Sequence, residues 1–318
     1  VNDNRFLLLD LRNVGKWIDD AAVGELAHDL CQTSLVDDLL VLSTSDVADV
    51  RYRIFGGDRR EADFCCNGAL YTLSTLCREG RVGRVTLDTR LGVCAGVVEP
   101  RRQTLRLGSV KMESLRPKPW LQPYLEAMHL TVLGIRRAGE PHVIIPAPPY
   151  LQGRRFDQQT FEEIGSSLCC GFEIDGGVNV TMTFLTGRDA EPMIRTFERG
   201  VRRMTRSCGS GTLAAASILF PDPPDAPTVI HSPGGSHTVW YERQTASWWM
   251  SAQAQHDHIQ HRPLGKLLED IRNRLGQHGR EPHTRRAHSH HDDARNPPKA
   301  LLDPYRARRR HTPLPDSR

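Results

Sequence analysis

Two stretches of this 318-residue chain read as copies of one another. Ala62 to Arg78 runs ADFCCNGALYTLSTLCR, and Arg206 to Phe220 runs RSCGSGTLAAASILF. In each, a cysteine stands just before an Asn-Gly or Ser-Gly element, and a proline-free apolar run follows at once. The pattern predicts two helices with Cys65 and Cys208 at their N-termini. The first N–H groups of a helix have no partner within it and carry the positive end of its dipole. A thiol placed there is expected to ionise more readily than a free one, and the same N–H groups can hold a carboxylate. One such site would suggest a nucleophile. Two equivalent sites suit inversion at a carbon, where one group removes a proton from one face while the other delivers a proton to the opposite face. The helix N–H groups would meanwhile stabilise charge developing on the substrate carboxylate. Taken singly, a free cysteine reads as a buried structural residue; the pairing reverses that reading for Cys65 and Cys208.

The surrounding chain repeats a plan. In the first half, Phe6 to Asp10 is an apolar strand, and Val23, Leu26, Leu30 and Cys31 give Ala21 to Gln32 a helical spacing. Leu39 to Leu42 and Val50 to Phe55 read as strands ahead of Cys65, and Val85 to Thr89, Gly92 to Val98 and Thr104 to Val110 as strands after it. Pro117 to Pro123 reads as a boundary. In the second half, His142 to Ile145 is a strand, and Asp157 caps a helix through Phe161, Ile164 and Leu168. Val178 to Phe184 alternates, Met193 to Phe197 is a strand ahead of Cys208, and Thr228 to His231 and His237 to Tyr241 close the pattern. The repetition points to an internal duplication. The expected organisation is a first half over 1–120, a second over 121–261, and an Arg-, His- and Pro-rich tail over 262–318, disordered apart from a short helix at Leu264 to Leu275.

The formal net charge of +4 is unevenly spread, because the tail is basic and the rest mildly acidic. That argues against nucleic acid as a partner of the main body. No apolar run approaches the roughly 20 residues of a membrane span, and no basic-then-apolar leader is present, so neither a membrane nor export is expected. Eight cysteines without the regular spacing of a small secreted scaffold favour free thiols in a reducing cytoplasm. Cys77 and the Cys169-Cys170 pair read as core or surface thiols rather than metal ligands. His288, His290 and His291 lack accompanying ligand spacing, so no metal is expected. The five lysines, Lys16, Lys111, Lys118, Lys266 and Lys299, lie outside any phosphate-cradling context, which argues against a pyridoxal enzyme and leaves no cofactor expected.

The two motifs resemble those of the diaminopimelate epimerases and their relatives, the cofactor-independent amino-acid racemases. Phe64-Cys65-Cys66-Asn67-Gly68 is similar to the family's Met-Cys-Gly-Asn-Gly, and Ser207-Cys208-Gly209-Ser210-Gly211-Thr212 to its Ala-Cys-Gly-Thr-Gly. Further matches follow in order: Asp3-Asn4-Arg5-Phe6, Arg53 to Asp58, Glu140-Pro141-His142, Asn179-Val180, Glu198-Arg199-Gly200-Val201 and Ser232 to Gly235. The resemblance spans roughly residues 3 to 261. It implies an α+β fold of two pseudo-symmetric domains, each a strongly curved sheet or barrel around a central helix, with the site in the cleft between them. It also implies a strand ahead of Asn4, so of the two readings of a start at Val1, an alternative start or a missing leading segment, the second is expected.

The resemblance assigns Cys65 and Cys208 as thiolate base and thiol acid, exchanging roles between enantiomers. Cys66, Asn67, Gly68, Gly209, Ser210 and Gly211 become the substrate-carboxylate cradle. For Asn67, Gly68, Gly209, Ser210 and Gly211 a tight-turn role is the alternative. Cys66 stands where the family has glycine, and a positive φ there would strain it. Asn4, Glu140, Asn179, Glu198 and Arg199 line the rest of the pocket. Gly56 and Glu140 replace family asparagines that bind the far end of a symmetric diamino diacid. Glu140 favours a cationic or imidazole side chain, Arg199 argues the other way, and the segment from Val201 to Cys208 is one residue longer than in the family. His142, at a strand start, is at least as well explained by a structural role. The expected partner is a free amino acid, bound by a monomer or homodimer. Diaminopimelate and histidine, as in the related racemases of metallophore synthesis, are weighed equally. Two other readings stay open: an isomerase like those of phenazine biosynthesis, which lack the cysteine pair, and a catalytically defective or thiol-sensing homologue.

Overall fold

The computed structural model describes residues 1–14, 19–32, 36–107, 111–112, 115–127, 133–137, 140–146, 158–184, 191–220, 222 and 226–253. The tail with its predicted helix and histidines, and the Asp157 cap, lie outside the described residues.

The first half comprises β1 (Phe6–Asp10), α1 (Asp20–Gln32), β2 (Asp38–Ser43), β3 (Val50–Gly56), α2 (Cys66–Arg78), β4 (Gly83–Thr89), β5 (Gly92–Glu99) and β6 (Arg102–Leu107). After β7 (Lys111–Met112), α3 (Leu121–Ala127) and β8 (Leu133–Arg137) come β9 (Glu140–Pro146), α4 (Gln158–Cys170), β10 (Asn179–Phe184), β11 (Met193–Glu198) and β12 (Arg203–Thr205). Then follow α5 (Gly209–Leu219), β13 (Thr228–Ser232), β14 (Gly235–Glu242) and β15 (Ser247–Ser251).

The ladders of the two halves match step by step. β1 runs parallel to β2 across α1, as β9 does to β10 across α4. The next step is antiparallel in both, β2 to β3 and β10 to β11. β3 then runs parallel to β4 across α2, as β11 does to β13 across α5. Two antiparallel steps finish each set, β4–β5–β6 and β13–β14–β15. β6 and β15 pair antiparallel, with Leu107 opposite Trp248, and so join the two sets into one continuous path of strands. The duplication legible in the motifs is thus the ladder order of the sheet.

Each half wraps its central helix for a simple reason of periodicity. Successive residues of a strand face opposite sides, and β2 is apolar on both. Leu39 and Val41 pack with Val23, Leu26 and Ala27 of α1, while Leu40 and Leu42 pack with Ala69, Leu70 and Leu73 of α2. Burying each such leucine stabilises the fold by about 1.5–3 kcal/mol. β10 is likewise buried along its whole length, not on one face only as its alternation suggests. Val180, Met182 and Phe184 pack with Phe161 and Ile164 of α4, and Thr181 turns toward the start of α5. α5 is buried from Gly209 to Ala216 apart from Ser210, and its Leu213, Ala215 and Ala216 share one core with α2 and with Ile230, Val239, Trp248 and Met250 of the closing strands. Both cysteine-bearing helices are therefore held by a single core.

Pro117 to Pro123, read as a boundary, runs into the start of α3; Pro123 is tolerated because the N–H it lacks would have no helical partner in the first turn. One element departs from the sequence expectation. The last strand is β15, beyond the expected close at Tyr241, since Ser-Trp-Trp-Met-Ser is too short and too uniformly apolar to show a period.

Candidate active site

Cys65 and Cys208 are the N-caps of α2 and α5, and the two backbones superpose in conformation: φ −134, ψ 116 at Cys65 and φ −133, ψ 112 at Cys208. Each sulfur accepts from the N–H three residues on, Gly68 and Gly211, at 3.4 Å in both. The extended cap conformation turns the side chain back over the first helical turn, as Ser or Asp does at other N-caps.

The two helix starts meet face to face. A Cβ built on Gly209 would lie 2.5 Å from Cys66 Cβ, so no side chain fits there. Gly68 has the same problem with Tyr52 Oη, at 2.5 Å, and Gly211 with Thr196 Oγ1 and Thr181 Oγ1, at 2.8 and 2.9 Å. Close approach, not left-handed backbone, requires these three glycines. Cys66 is helical with a negative φ, so it carries no strain from replacing a glycine. Asn67 sends its side chain across the gap, where Nδ2 donates to Asn4 Oδ1 and, at 3.3 Å, to Ser207 Oγ. His237 of β14 bridges both helices, with Nε2 2.8 Å from Asn67 Oδ1 and Nδ1 3.0 Å from the Thr212 hydroxyl. Burial holds its ring neutral, with the pKa lowered to about 3.

The strand registers place the remaining residues in equivalent pairs. Phe6 faces Asp38 as His142 faces Asn179, and Asp38 faces Gly56 where the Val180–Phe197 register, carried one residue back along β10, matches Asn179 to Glu198. Asn4 is thus the counterpart of Glu140, Asp38 of Asn179, and Gly56 of Glu198. Glu140 and Arg199 neutralise each other in an ion pair at 2.9 Å. Asn179 accepts from the Arg199 N–H at 2.9 Å and donates to Glu140 at 3.4 Å. Glu198 accepts from the Thr205 hydroxyl, and its charge acts on Cys208. The turn after Glu198 closes with Arg202 at φ 54, its N–H on Glu198 O at 2.8 Å.

Two groups went unassigned in the sequence. His142 is fully buried, with Nε2 2.9 Å from Ser210 Oγ, which in turn lies 3.5 Å from Cys208 Sγ. Asp38 stands beside Cys65 as Glu198 stands beside Cys208. The signal for Asp38 was its equivalence to Asn179 in the duplication, which requires aligning the two halves strand by strand.

The expectation that helix position eases ionisation is corrected here. Burial pushes both thiols well above the ordinary range; Asp38 adds to this at Cys65 and Glu198 at Cys208, outweighing the cap N–H groups. The carboxyls are displaced too, first by burial and then by neighbouring acids, Glu198 at Asp38 and Glu140 at Glu198: Asp38 is raised to about 8 and Glu198 to about 7. Without substrate the cleft therefore favours neutral thiols over thiolates. Among the described residues no group of three or more His, Cys, Asp or Glu side chains is arranged to hold a metal, and no helix is long and apolar enough to cross a membrane.

Two pseudo-symmetric α+β halves, each winding its sheet about a helix that starts at a capping cysteine, define the epimerase-like fold class. The phenazine biosynthesis protein of Bacillus anthracis shares the fold, with a TM-score of 0.57 at 14% identity over 78% of this chain and 89% of that one. So does a structure titled a predicted epimerase from Pseudomonas aeruginosa, with a TM-score of 0.55 at 17% identity over 80% and 94%. No family model matches the chain. The diaminopimelate epimerase of Methanothrix thermoacetophila is 30% identical over 228 residues, covering 68% of this chain and 77% of that protein. That of Chlamydia muridarum is 29% identical over 190 residues, covering 59% and 67%. The chain belongs to the diaminopimelate epimerase family and is an isomerase of the epimerase or racemase kind.

Proposed function

We propose that this chain inverts the α-carbon of a free amino acid without a cofactor, with Cys65 and Cys208 as its two acid/base groups. The observation that carries the reading is the matched pair of caps: two sulfurs in one conformation, on helix starts that face each other. One thiolate takes the α-proton from one face while the opposite thiol gives its proton to the other, and the roles reverse for the other enantiomer. Gly68 and Gly211 bond the sulfurs, which leaves the first-turn N–H groups of Asn67, Gly209 and Ser210 to meet the substrate carboxylate as its charge grows. Both thiols start protonated, so one must ionise on binding. The ammonium group of an entering amino acid supplies positive charge to the acids Asp38 and Glu198, and Glu198, whose charge acts on Cys208, is the acceptor this reading gives to the Cys208 proton. Ser210 and His142 lie on the other side of that sulfur as a hydrogen-bonded pair.

For the substrate side chain the observations favour a basic or imidazole group. The Glu140–Arg199 pair cancels its own charge and leaves no free guanidinium for a distal carboxylate, while Asp38 makes no ion pair among the described residues. The identity to named diaminopimelate epimerases supports diaminopimelate as the second reading. Deuterium wash-in at Cα tests both. The reduced protein in heavy water is given a pool of amino acids that includes histidine and the diaminopimelate isomers. Label in histidine or another basic amino acid supports the first reading, and label in diaminopimelate the second. No label in any member, with the protein folded and its thiols free, would leave the defective or thiol-sensing homologue.

A further inference from the structure

Away from the cleft, α4 ends in a thiol pair that the proposed reaction does not use. Cys169 is buried and Cys170 is the one exposed cysteine of the eight. Arg202 reaches across to them from the turn after β11: its Nη1 donates to Cys170 Sγ at 2.9 Å and to Cys169 Sγ at 3.6 Å. The arginine is held for this by its own backbone, in the left-handed region at φ 54, where a non-glycine residue is uncommon. Its N–H is fastened to Glu198 O.

The charges around this pair act in a definite order. A helix C-terminus is the negative end of the dipole and disfavours a thiolate. Against that, the Cys169 thiol donates to Cys170, and the Arg202 guanidinium and Lys118 add positive charge, so Cys170 is held below the ordinary thiol range. Cys169 carries the shared proton and is pushed up. Burial pushes up Cys31, Cys65, Cys94 and Cys208 as well. Exposure and a guanidinium partner therefore coincide at Cys170.

We propose that Cys170, clasped by Arg202 and backed by Cys169, is a modification site that forms mixed disulfides with low-molecular-weight disulfides. In the exchange the Cys170 sulfur attacks one sulfur of the small disulfide. The reagent's S–S bond breaks as the new one forms, and the released small thiolate takes a proton from solvent. No further oxidant is needed, and the inference does not rest on the two-cysteine reaction.

The test treats the full, reduced chain with oxidised glutathione over a range of pH and maps adducts by peptide mass spectrometry. At about pH 6 the Cys170 peptide is expected to gain adduct at least about tenfold faster than the Cys77 peptide, with a rate already levelling by about pH 7. Arg202→Gln should slow Cys170 about tenfold at the lower pH and little near pH 9, where a thiol ionises without help. Arg202→Lys, which keeps the charge, should retain most of the rate. Equal rates at Cys170 and Cys77, or a Cys170 rate that climbs through about pH 8.5 like a free thiol's, would overturn the proposal. The wild-type profile alone decides this if the Arg202 variants fold poorly.

Discussion

At the scale of single residues, the cleft sets an acid/base pair in surroundings that oppose its ionisation. Cys65 and Cys208 are pushed up first by burial and then by carboxyl charge, chiefly Asp38 at Cys65 and Glu198 at Cys208. Such a site is quiescent until a cation arrives, which suits an enzyme whose substrate brings its own ammonium group. Replacing either sulfur by oxygen keeps the cap, since serine is a good N-cap, but raises the pKa far beyond reach. Cys65→Ser and Cys208→Ser are therefore expected to fold normally and to lose turnover by about 10²-fold or more. Melting curves together with steady-state racemisation check this, and near-normal turnover in both would sink the two-cysteine mechanism. Asp38→Asn keeps the shape and removes a carboxyl that can ionise when a cationic substrate enters. It should raise KM for a cationic substrate about tenfold, the worth of one charge-assisted hydrogen bond, with a smaller change in kcat. An unchanged KM would mean that Asp38 does not meet the substrate side chain.

At the scale of elements, the feature that matters is the contact between the starts of α2 and α5. Two helix N-termini carry like partial charges and gain nothing from approaching unless an anion sits between them. Packing brings them together all the same, because their flanks share one core, and Asn67 and His237 tie them across the gap. Gly209 exists to permit that approach, so Gly209→Ala should destabilise the protein by about 1–3 kcal/mol through overpacking and reduce activity by spreading the sulfurs. The clash is with the Cβ of Cys66, so Cys66→Gly should recover most of the loss in the double variant. A double-mutant cycle read by denaturant unfolding measures that coupling; additive effects would show that the wedge acts elsewhere.

For the whole molecule, the buried titrating groups of the cleft tie stability to pH from both sides. Asp38 and Glu198 have folded pKa values raised to about 8 and about 7 from 3.8 and 4.5. As pH rises the unfolded chain loses these protons first, so the stability they contribute is present below about pH 4 and is lost up to about pH 8. His237 is depressed from 6.5 to about 3; its contribution is present above about pH 6.5 and is lost as pH falls toward 3. The melting temperature should therefore fall on both the alkaline and the acid limb. Asp38→Asn should flatten the alkaline limb and His237→Asn the acid one. If both variants keep the wild-type slopes in a thermal scan across pH, these groups do not govern it. The closing hairpin makes this a property of the whole protein, since β14 and β15 come from the second half yet pack in the core of α2, and β15 pairs with β6.

The sequence by itself determined the two cysteine-headed helices, the repetition of strand, cysteine and helix, and through the ordered motifs the family. These are local signals: a cap, a glycine and an apolar run are written within a few residues of each other. Register and depth belong to the tertiary structure. It made Glu140 and Arg199 partners rather than rivals, gave Asp38 the position in the first half that Asn179 holds in the second, brought His237 between the helices from far along the chain, and returned β15 to the first half. It also reversed the charge state expected of the thiols. A helix terminus can be read from sequence, but the burial and the carboxylates that outweigh it are fixed only when distant strands converge.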